Sequence, residues 1–284
     1  MIRLNEVYAG IVLYNPNLER LAKVIESIEG DVQSLLLIDN GSFNFDNISE
    51  AYSSRERIFI IANKRNEGIA RALNQICQYG IDKGYKWCLT LDQDTICPPK
   101  LVELLYRYAD DPNHGIICPA VHYEGINMDT KRKEGGEYVY ACMTSASLTN
   151  LEAWKKVGGF REDYFIDFVD NEYCMKLKLS GYKVFRTFDC SISHQLGESR
   201  EIKFLWWSTK GTIHSSLRCY YMIRNNILFI RQYSKELNII KEYTKVGYIA
   251  FGQLLYSRYK AKDLAHILKG IKDGFKGKTG KYEG

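Results

Sequence analysis

The most informative part of this chain is the stretch Trp87-Cys88-Leu89-Thr90-Leu91-Asp92-Gln93-Asp94-Thr95. Its apolar half predicts a buried β-strand, and two carboxylates, two residues apart, follow at the carboxyl end of that strand. Because alternate residues of an extended chain project the same way, Asp92 and Asp94 can converge on one divalent cation. Oxygen ligands suit Mg²⁺ or Mn²⁺, and a cation held there could bind a diphosphate. The alternative is a polar turn that caps the helix beginning near Pro98-Pro99.

The segments around this stretch alternate between strands and helices. We predict strands at 6–13, 32–38, 58–62 and 86–91, and helices at 17–29, 68–83 and 99–108. This alternation indicates a mainly parallel sheet covered by helices, whose ligands bind at the carboxyl ends of the strands. Polar clusters at 14–16, 39–42 and 92–94 all follow predicted strands, so we expect them to line one crevice.

Past residue 115 the pattern is less regular, with predicted strands at 115–122 and 137–149, a predicted helix at 170–180 and a mainly helical last third. No charged-then-apolar leader opens the sequence, so we expect no secretion signal. The longest weakly charged apolar stretch, 246–256, has about half of the ~20 residues that a membrane-spanning helix needs. Eight cysteines without a C-x-x-C pair predict buried thiols in a reducing cytoplasm, not a disulfide frame or a zinc site.

Five segments then occur in an order that is typical of a known family: Ile11-Val12-Leu13-Tyr14-Asn15-Pro16, Ile38-Asp39-Asn40-Gly41-Ser42, Asn66-Glu67-Gly68-Ile69-Ala70-Arg71-Ala72-Leu73-Asn74, Leu91-Asp92-Gln93-Asp94-Thr95 and Tyr164-Phe165-Ile166-Asp167-Phe168-Val169-Asp170-Asn171-Glu172. Nearly the whole chain resembles the family 2 inverting glycosyltransferases of the GT-A fold, and within them the bacterial rhamnosyltransferase group. The resemblance implies an α/β protein with a mainly parallel nucleotide-binding sheet flanked by helices and a helical C-terminal extension. It implies a catalytic domain at 1–200, with a nucleotide-sugar-binding half at about 1–115 and an acceptor-binding half at 116–200, and a basic helical C-terminal region at 201–284.

The resemblance also implies where the nucleotide binds. The ring of Tyr14 would offer a packing surface, and the carboxylate of Asp39 would accept from the base or the ribose. The alternative for Asp39 is a simple Asx turn at Asp39-Asn40-Gly41. Asn66 and Gly68 precede a helix whose free N–H groups could favour a polar or negatively charged ligand, or they form an ordinary cap.

Two arginines are candidates for the phosphates of the donor. Arg71 could reach the diphosphate or be solvated on the helix surface. Arg224 begins Arg224-Asn225-Asn226, which resembles a recurrent Arg-Asn segment of the group, and it could grip phosphate bidentately or form a salt bridge on a helix surface. The implied nucleotide-sugar-binding residues are Tyr14, Asp39, Asn66, Gly68, Arg71, Asp92 and Arg224.

The implied metal ligands are Asp92 and Asp94, with His194 as a third. Related transferases of this fold, such as galactofuranosyltransferases, have a metal-binding histidine at a similar remove from the acidic segment. An imidazole suits Mn²⁺ better than Mg²⁺. The alternative is that His194 is structural.

A sugar transfer also needs a base for the incoming hydroxyl. In the family the base comes from an acidic pair, often Glu-Asp, at the start of a helix. Here the pair is Val169-Asp170, so the first acid is missing, and we favour Asp170, with Asp167 as the second candidate and Glu172 as an acceptor or structural contact. The alternative is that Asp170 only caps the helix.

The sugar itself is expected against Thr144-Ser145-Ala146-Ser147, where small residues let a pyranose approach the sheet. The group usually has Ser-Gly in this segment, so we expect Ala146 to reshape the floor of the site slightly.

The resemblance implies a metal-dependent inverting glycosyltransferase that uses Mn²⁺ or Mg²⁺ to transfer L-rhamnose from dTDP-L-rhamnose to a lipid-linked surface-polysaccharide precursor. The alternatives are another nucleotide sugar, such as a UDP-hexose or galactofuranose donor, and a non-catalytic sugar-binding or assembly protein. A nucleotidyltransferase is disfavoured because no glycine-rich Arg/Lys loop follows the first strand. We expect a cytoplasmic protein without nucleic-acid partners, and the oligomeric state stays open.

The C-terminal region is strongly basic. Residues 1–199 hold 22 Lys and Arg against 28 Asp and Glu, whereas residues 200–284 hold 17 against 6. The apolar residues of the tail share one helix face: Leu264, Ile267, Leu268, Ile271 and Phe275. The accompanying lysines favour a surface helix on anionic lipid at the inner face of the cell membrane, although packing against the catalytic domain explains the face equally well.

Overall fold

The computed structural model describes residues 4–123, 135–194, 199–204 and 207–283. The chain divides into two compact units. The first contains residues 1–162 and 170–194, and the second contains residues 163–169 and 195–284. The domain boundary at residue 200 stays a prediction. The short segment 163–169 belongs to the second unit although the residues on either side of it in sequence belong to the first.

An eight-stranded sheet forms the first unit within the described residues. Its strands are β1 (Val7–Leu13), β2 (Leu35–Asp39), β3 (Ile58–Ala62), β4 (Trp87–Asp92), β5 (His114–Tyr123), β6 (Gly136–Val139), β7 (Ser147–Asn150) and β8 (Lys183–His194). Their order is β3-β2-β1-β4-β7-β5-β8-β6. The first four strands are parallel, β7 runs antiparallel to both β4 and β5, β8 is parallel to β5, and β6 is antiparallel to β8. The sheet is therefore mainly parallel across β1 to β4, as predicted.

Helices accompany this sheet: α1 (Leu18–Ile28), α2 (Phe45–Tyr52), α3 (Ile69–Asp82), α4 (Leu101–Tyr106), α5 (Leu151–Val157) and α6 (Val169–Leu179). In α1 the apolar residues fall at helical spacing, so that Leu21, Val24, Ile25 and Ile28 are all buried in the core. Each such side chain contributes about 1.5–3 kcal/mol by leaving water. The helix begins where the side chain of Asn17 accepts a hydrogen bond from the backbone N–H of Arg20.

The register of the parallel strands positions the predicted site. Asp39 lies opposite Leu13 on β1 and Ala62 on β3, while Asp92 lies opposite Val12 on β1. Both carboxylates therefore stand at the carboxyl ends of strands that flank β1, on the edge where ligands of such sheets bind.

The predicted strand at 137–149 is wrong. Two short strands, β6 and β7, occupy its ends and have different neighbours in the sheet, with a loop between them. Ala146, the last residue of this loop, has a left-handed backbone with φ of 61°, which no β-strand tolerates. The sequence pattern also missed α2, α5 and the long strand β8.

The second unit contains three helices in its described part: α7 (Ser216–Gln232), α8 (Ile239–Tyr256) and α9 (Lys260–Lys276). Their shared core is formed by Cys219, Ile223, Ile227 and Ile230 of α7 with Val246 of α8 and Ile267 of α9. Two glycines let α9 approach α7 closely: a Cβ at Gly270 would lie 2.9 Å from the Tyr220 carbonyl oxygen, and one at Gly274 would lie 2.8 Å from Cβ of Ile227.

The helical C-terminal extension that the resemblance implied is present as α7, α8 and α9. An antiparallel hairpin of β9 (Ser199–Phe204) and β10 (Trp207–Thr212) precedes α7. All eight cysteines are free thiols, seven of them buried, as predicted. Within the described residues, none of the helices combines the length and the apolar character that a bilayer crossing requires.

Candidate active site

Asp39, at the end of β2, is buried, and its two carboxylate oxygens have different surroundings. Oδ2 accepts hydrogen bonds from the backbone N–H groups of Gly41 at 3.1 Å and Ser42 at 3.0 Å, which is the expected Asx turn. Oδ1 is buried without a hydrogen-bond partner in the described part of the chain. A buried acceptor left unsatisfied is costly, so this oxygen is suited to a ligand's N–H or O–H. Asp39 can therefore form the turn with Oδ2 and still bind a ligand through Oδ1.

The loop after β1 is joined to the loop after β4 by a reciprocal pair of hydrogen bonds. The backbone N–H of Tyr14 donates to Oε1 of Gln93 at 2.8 Å, and Nε2 of Gln93 donates to the Tyr14 carbonyl at 3.3 Å. The Tyr14 side chain is about half exposed, so its ring is available for packing against a ligand. Gln93 has a positioning role that the sequence reasoning missed, although its place between Asp92 and Asp94 was a signal.

The loop after β1 is also joined to the loop after β2. Asn15, whose φ is 50°, donates from its backbone N–H to Oγ of Ser42 at 2.8 Å and accepts at Oδ1 from the N–H of Phe43 at 2.9 Å. Gly41 has φ of 82°, and a Cβ there would lie 2.6 Å from the backbone of Arg65. Only glycine fits this turn, because both its backbone angle and its surroundings exclude a side chain.

Asn40 links this turn to the start of α3. Its Nδ2 donates to Oδ1 of Asn66 at 3.2 Å and to the Gly68 carbonyl at 3.1 Å, and its Oδ1 accepts from Nδ2 of Asn63 and the N–H of Glu67, both at 3.1 Å. Oδ1 of Asn66 also accepts from the N–H of Gly68 at 2.9 Å. These contacts hold Asn66 in the turn that precedes α3, whose first residue is preceded by Gly68 without a side-chain cap. The ligand roles of Asn66 and Gly68 stay predictions.

The acidic loop after β4 is held from both sides. The N–H of Asp92 donates to Oγ of Ser145 at 2.9 Å, and that hydroxyl donates in turn to Oγ1 of Thr95 at 2.9 Å. The Asp94 carbonyl accepts two hydrogen bonds from the Arg20 guanidinium, from Nε at 2.9 Å and Nη2 at 2.6 Å. The backbone is thereby fixed while Asp94 itself remains exposed to solvent. Arg20 is a further residue that the sequence reasoning missed.

The donor set fits a hard divalent cation. Mg²⁺ is usually bound by one or two carboxylates together with substrate phosphates, and Asp92 and Asp94 supply two carboxylates on one fixed loop. Among residues 4–123, 135–194, 199–204 and 207–283, no three His, Cys, Asp or Glu side chains are grouped so as to hold a metal by themselves. His194 ends β8 opposite Tyr123, but its side chain lies outside the described residues, so its role as a ligand stays a prediction.

Asp170, the favoured base, lies in the first turn of α6. Its Oδ1 accepts a hydrogen bond from Oγ1 of Thr144 at 3.1 Å, and the Thr144 carbonyl accepts from Oγ1 of Thr90 at 2.6 Å. Thr90 is on β4, two residues before Asp92. A short chain of hydrogen bonds therefore ties the candidate base to the strand that carries the candidate metal ligands.

A cavity of about 320 Å³ lies beside Asp170 in the first unit. Its polar lining includes Asp170, Asn171, Ser145, Ser147 and Arg186, and its apolar lining includes Pro119, Val121, Met143 and Ile192. Ligand pockets that combine an apolar wall with a few fixed polar groups have this size and character.

Comparison with known proteins identifies the family. The model of "Glycosyl transferase family 2" matches residues 9–174, which is more than half of the chain. The chain is a family 2 glycosyltransferase. The matched region contains every candidate donor, metal and base residue except His194 and Arg224.

Relatives and solved structures agree with this glycosyltransferase assignment. The chain is 29% identical over 244 residues to dTDP-rhamnosyl transferase RfbF of Shigella flexneri, across 80% of this chain and 81% of that protein. GalNAc-T7, crystallised with UDP, GalNAc and Mn²⁺, has a TM-score of 0.59 at 14% identity, covering 95% of this chain and 56% of that chain. TarS of S. aureus, residues 1–349 in complex with UDP-GlcNAc, has a TM-score of 0.59 at 12% identity, covering 96% of this chain and 81% of that one. The glycosyltransferase therefore has the GT-A fold.

Ala146 of the glycosyltransferase stands where the resemblance to the rhamnosyltransferase group implies a glycine. It is buried, with φ of 61°, and its N–H donates to the Thr90 carbonyl at 2.8 Å. A left-handed backbone costs a residue with a Cβ about 1–2 kcal/mol, and glycine adopts it without that cost. The structure thus gives the physical reason for the family's preference.

Asp167, the second base candidate, belongs to the second unit of the glycosyltransferase. Its side chain is largely buried, and Oδ1 accepts from Nε of Arg218 at 3.2 Å. Burial raises the pKa of the Asp167 carboxyl above its ordinary value, and the Arg218 guanidinium opposes part of that shift. A carboxylate whose proton affinity is raised is a stronger base, so Asp167 keeps its candidacy.

The segment around Asp167 has a strained backbone. Phe165, Asp167 and Phe168 all have φ between 62° and 65°. The side chain of Asn225 on α7 holds this segment, because its Nδ2 lies 2.9 Å from the Tyr164 carbonyl, 2.7 Å from that of Ile166 and 3.0 Å from that of Asp167. Such strain is concentrated at functional sites and persists only where neighbouring groups enforce it.

Arg224 is not on a helix surface, which corrects that alternative. It is 1% exposed, and its Nη1 and Nη2 donate to the carbonyls of Gly280 at 2.6 Å and Tyr164 at 3.0 Å, while Nε donates to Oδ1 of Asn225 at 2.9 Å. Arg224 therefore has a structural role in the second unit, because all three nitrogens of its guanidinium group donate hydrogen bonds within that unit. Its phosphate-binding role stays a prediction without support from this geometry.

Arg71 and Glu172 both have protein partners. Nη1 of Arg71 lies 3.2 Å from Oε2 of Glu162, so this arginine is ion-paired and about half exposed. Glu172 is buried and lies 3.5 Å from Nζ of Lys176, one helical turn along α6. Glu172 therefore makes a structural contact, which is one of the two roles expected for it. The diphosphate role of Arg71 stays a prediction.

Proposed function

We propose that this glycosyltransferase transfers L-rhamnose from dTDP-L-rhamnose to a lipid-linked surface-polysaccharide precursor, with inversion at the anomeric carbon. The observation that carries the proposal is the strand register, which puts Asp39 and Asp92 at one edge of the sheet. Asp170 is tied through Thr144 and Thr90 to β4, the strand that ends at Asp92. The similarity to a dTDP-rhamnosyl transferase supports the choice of donor.

The nucleoside would be bound by Asp39 and Tyr14. Oδ1 of Asp39 can accept from the ring N–H of thymine or from a ribose hydroxyl, since its other oxygen is occupied by the turn. The half-exposed ring of Tyr14 can pack against the base or the ribose. Uracil carries the same ring N–H, so this recognition supports a pyrimidine nucleotide, and the relative supports thymine.

The diphosphate would be bound through the cation that Asp92 and Asp94 hold, Mn²⁺ or Mg²⁺, with His194 as the proposed third protein ligand. Such a cation, when bound, neutralises the charge that develops on the departing diphosphate. Arg20 and Gln93 keep the loop in place for this task through the hydrogen bonds described above.

The acceptor would be activated by Asp170. An acceptor hydroxyl oxygen bonds to the anomeric carbon while the bond from that carbon to the diphosphate oxygen breaks, and the hydroxyl proton passes to the carboxylate of Asp170. The hydrogen bond from Thr144 occupies one carboxylate oxygen and orients the group. Asp167 is the alternative base.

Thermal shift with a panel of nucleotide sugars tests the proposal. dTDP-L-rhamnose with Mn²⁺ should raise the melting temperature more than UDP-glucose or UDP-galactofuranose, since a ligand at 100 times its Kd adds about 2.7 kcal/mol to stability. A preference for a UDP-sugar would overturn the rhamnose donor and leave a glycosyltransferase of another specificity. Stabilisation by sugars alone, without any nucleotide sugar, would favour the sugar-binding alternative.

We also propose that the enzyme works at the inner face of the cell membrane. A lipid-linked acceptor is held at that surface, and the basic residues of the C-terminal region favour an anionic surface.

A further inference from the structure

Among the described residues, the exposed apolar side chains are concentrated on α8 and α9. More than half of the large hydrophobic side chains that lie exposed in the described chain fall within residues 239–275. We define the α8–α9 surface by its exposed members: Ile240, Tyr248, Phe251 and Leu255 on α8, and Leu264, Leu268 and Phe275 on α9. Contiguous exposed apolar surface of this kind marks an interaction site.

Helix α8 is apolar on two opposite faces. Val246, Gln253 and Tyr256 are buried. On the opposite side, Ile240 and Tyr248 are 82% and 78% exposed, followed by Phe251 at 64% and by Leu255. The spacing of these four residues puts them on one stripe of the helix. An apolar stripe that faces solvent on a helix already buried along its other side indicates a partner.

The exposed residues of α9 extend this stripe. The predicted apolar face of the tail divides in the structure, because Ile267 is buried in the core with α7 while Leu264, Leu268 and Phe275 remain exposed. The ring of Phe275 stacks on Tyr243 of α8, with 6.0 Å between ring centroids. The two helices therefore present neighbouring apolar stripes, and α8 carries the larger share, which the tail prediction had not included.

The charges around the surface are mostly positive. Residues 239–283 contain ten Lys and Arg against four Asp and Glu. Two of the four acids, Asp263 and Asp273, are buried, so the exposed excess of positive charge is larger still.

We propose that the α8–α9 surface binds an anionic lipid bilayer, with its apolar side chains at the acyl boundary and its lysines at the headgroups. An amphipathic element with this composition lies in the plane of the interface, and each basic residue close to an anionic membrane strengthens binding. A second copy of this chain would fit less well, because a two-fold contact brings each surface against itself and so opposes like charges.

Vesicle sedimentation with the full chain tests this surface separately from the sugar-transfer site. The double variant Phe251→Ser/Leu255→Ser should bind phosphatidylglycerol-containing vesicles at least about tenfold more weakly than the natural protein, since two inserted side chains are lost. Leu179→Ser, which removes an exposed leucine from α6 in the first unit, is the matched control and should bind as the natural protein does. Lys272→Glu/Lys276→Glu should weaken binding in the same assay, and pure phosphatidylcholine vesicles should retain little protein.

Several results would overturn the proposal. Equal sedimentation of the natural protein and the Phe251→Ser/Leu255→Ser variant would exclude a lipid contact at this surface. Light scattering that finds a dimer for the natural protein and a monomer for the double variant would assign the surface to a second copy. The thermal shift with dTDP-L-rhamnose should be the same in both proteins, which separates failure of this proposal from failure of the proposed function. Should the double variant melt early, Tyr248→Ser alone provides the same comparison.

Discussion

The loops at the carboxyl ends of β1, β2 and β4 and the segment 163–169 are held in place by different means. The three loops are joined to one another by side chains close in sequence to the candidate ligands, chiefly Asn15, Ser42 and Gln93. The segment 163–169 is held in a strained conformation by Asn225, which is about sixty residues away along the chain. At the donor edge the side chains that hold the loops are themselves neighbours of the candidate ligands, while the segment with Asp167 is held by a side chain of a helix outside it.

This difference has a consequence for substitutions. At the donor edge a change should remove one contact of the ligand and leave the fold intact. In the segment 163–169 a change should act on folding and on chemistry together, because strain there is balanced by few side chains.

Asp94→Ala should abolish transfer and leave the fold intact, since Asp94 is exposed and its carbonyl contact with Arg20 does not need the side chain. Calorimetry with dTDP should find little Mn²⁺-dependent affinity remaining. Asp110→Ala, at another exposed acid of the first unit, is the control and should behave as the natural protein. Unchanged metal-dependent binding in Asp94→Ala would contradict the metal site. Asp92→Ala should also be impaired, but less.

Asp170→Asn should reduce turnover by a factor of about 10²–10⁴, the usual contribution of a general base, while donor binding persists. The substitution keeps an acceptor oxygen for Thr144 and removes the proton acceptor. Steady-state rates beside dTDP calorimetry separate the two effects. If Asp167→Asn is inactive and Asp170→Asn is active, the base is Asp167.

Asn225→Ala should lower the free energy of unfolding by about 2–3 kcal/mol, because the carbonyls of Ile166 and Asp167 lose their donor in a partly buried segment, while the Tyr164 carbonyl keeps the hydrogen bond from Arg224. Urea titration measures the change. Asn47→Ala, at an exposed position of α2, should change stability by less than about 0.5 kcal/mol. An equally small change in Asn225→Ala would mean that the segment holds its conformation without α7.

Asp167→Asn should become more stable relative to the natural protein as the pH rises above the ordinary aspartate value of 3.8. The pKa of Asp167 is higher in the folded protein than in the unfolded chain, so the carboxyl of the unfolded chain ionises at a lower pH. As the pH rises, this ionisation favours the unfolded state and the natural protein loses stability. The Asp167→Asn variant has no such group and keeps its stability. The slope is at most about 1.4 kcal/mol per pH unit for one proton. Urea titrations of both proteins at a series of pH values test it. A stability difference that does not vary with pH would contradict a raised pKa.

Ala146→Gly should change stability least, between no effect and a gain of about 1 kcal/mol. It relieves about 1–2 kcal/mol of left-handed strain but increases the entropy of the unfolded chain, at a cost of about 0.4–1 kcal/mol. Thermal melting measures the balance. A clear loss of stability would show that the methyl group packs well enough to outweigh the strain.

The donor edge could be predicted because its functional residues also determine local structure. Asp39 makes the turn after its strand with one oxygen and leaves the other available, so one short motif reports both roles. The parallel register then follows from alternating strands and helices. The polar loops at the strand ends could be predicted for the same reason. The roles of Gln93 and Arg20 could not, because their partners lie 79 and 74 residues away.

The rest could not be predicted because it depends on contacts distant in sequence. Nothing local to Arg224 reveals that its donors meet the carbonyls of Tyr164 and Gly280, so a buried arginine resembled a surface one. The loop before β7 contains residues that favour strands, and only the left-handed φ of Ala146 ends the extended chain. In the tail, periodicity identified an apolar face but not which half of it packs against α7.

The pair of hydrogen bonds between Tyr14 and Gln93 makes the two halves of donor recognition interdependent. Tyr14 would contact the nucleoside, and Gln93 lies between the two carboxylates that would hold the cation. Nucleotide and cation that both favour this arrangement would bind cooperatively, and thermodynamic reciprocity requires each to raise the affinity of the other by the same factor. Gln93→Ala should therefore reduce the mutual enhancement of binding more than it reduces the affinity for either ligand alone.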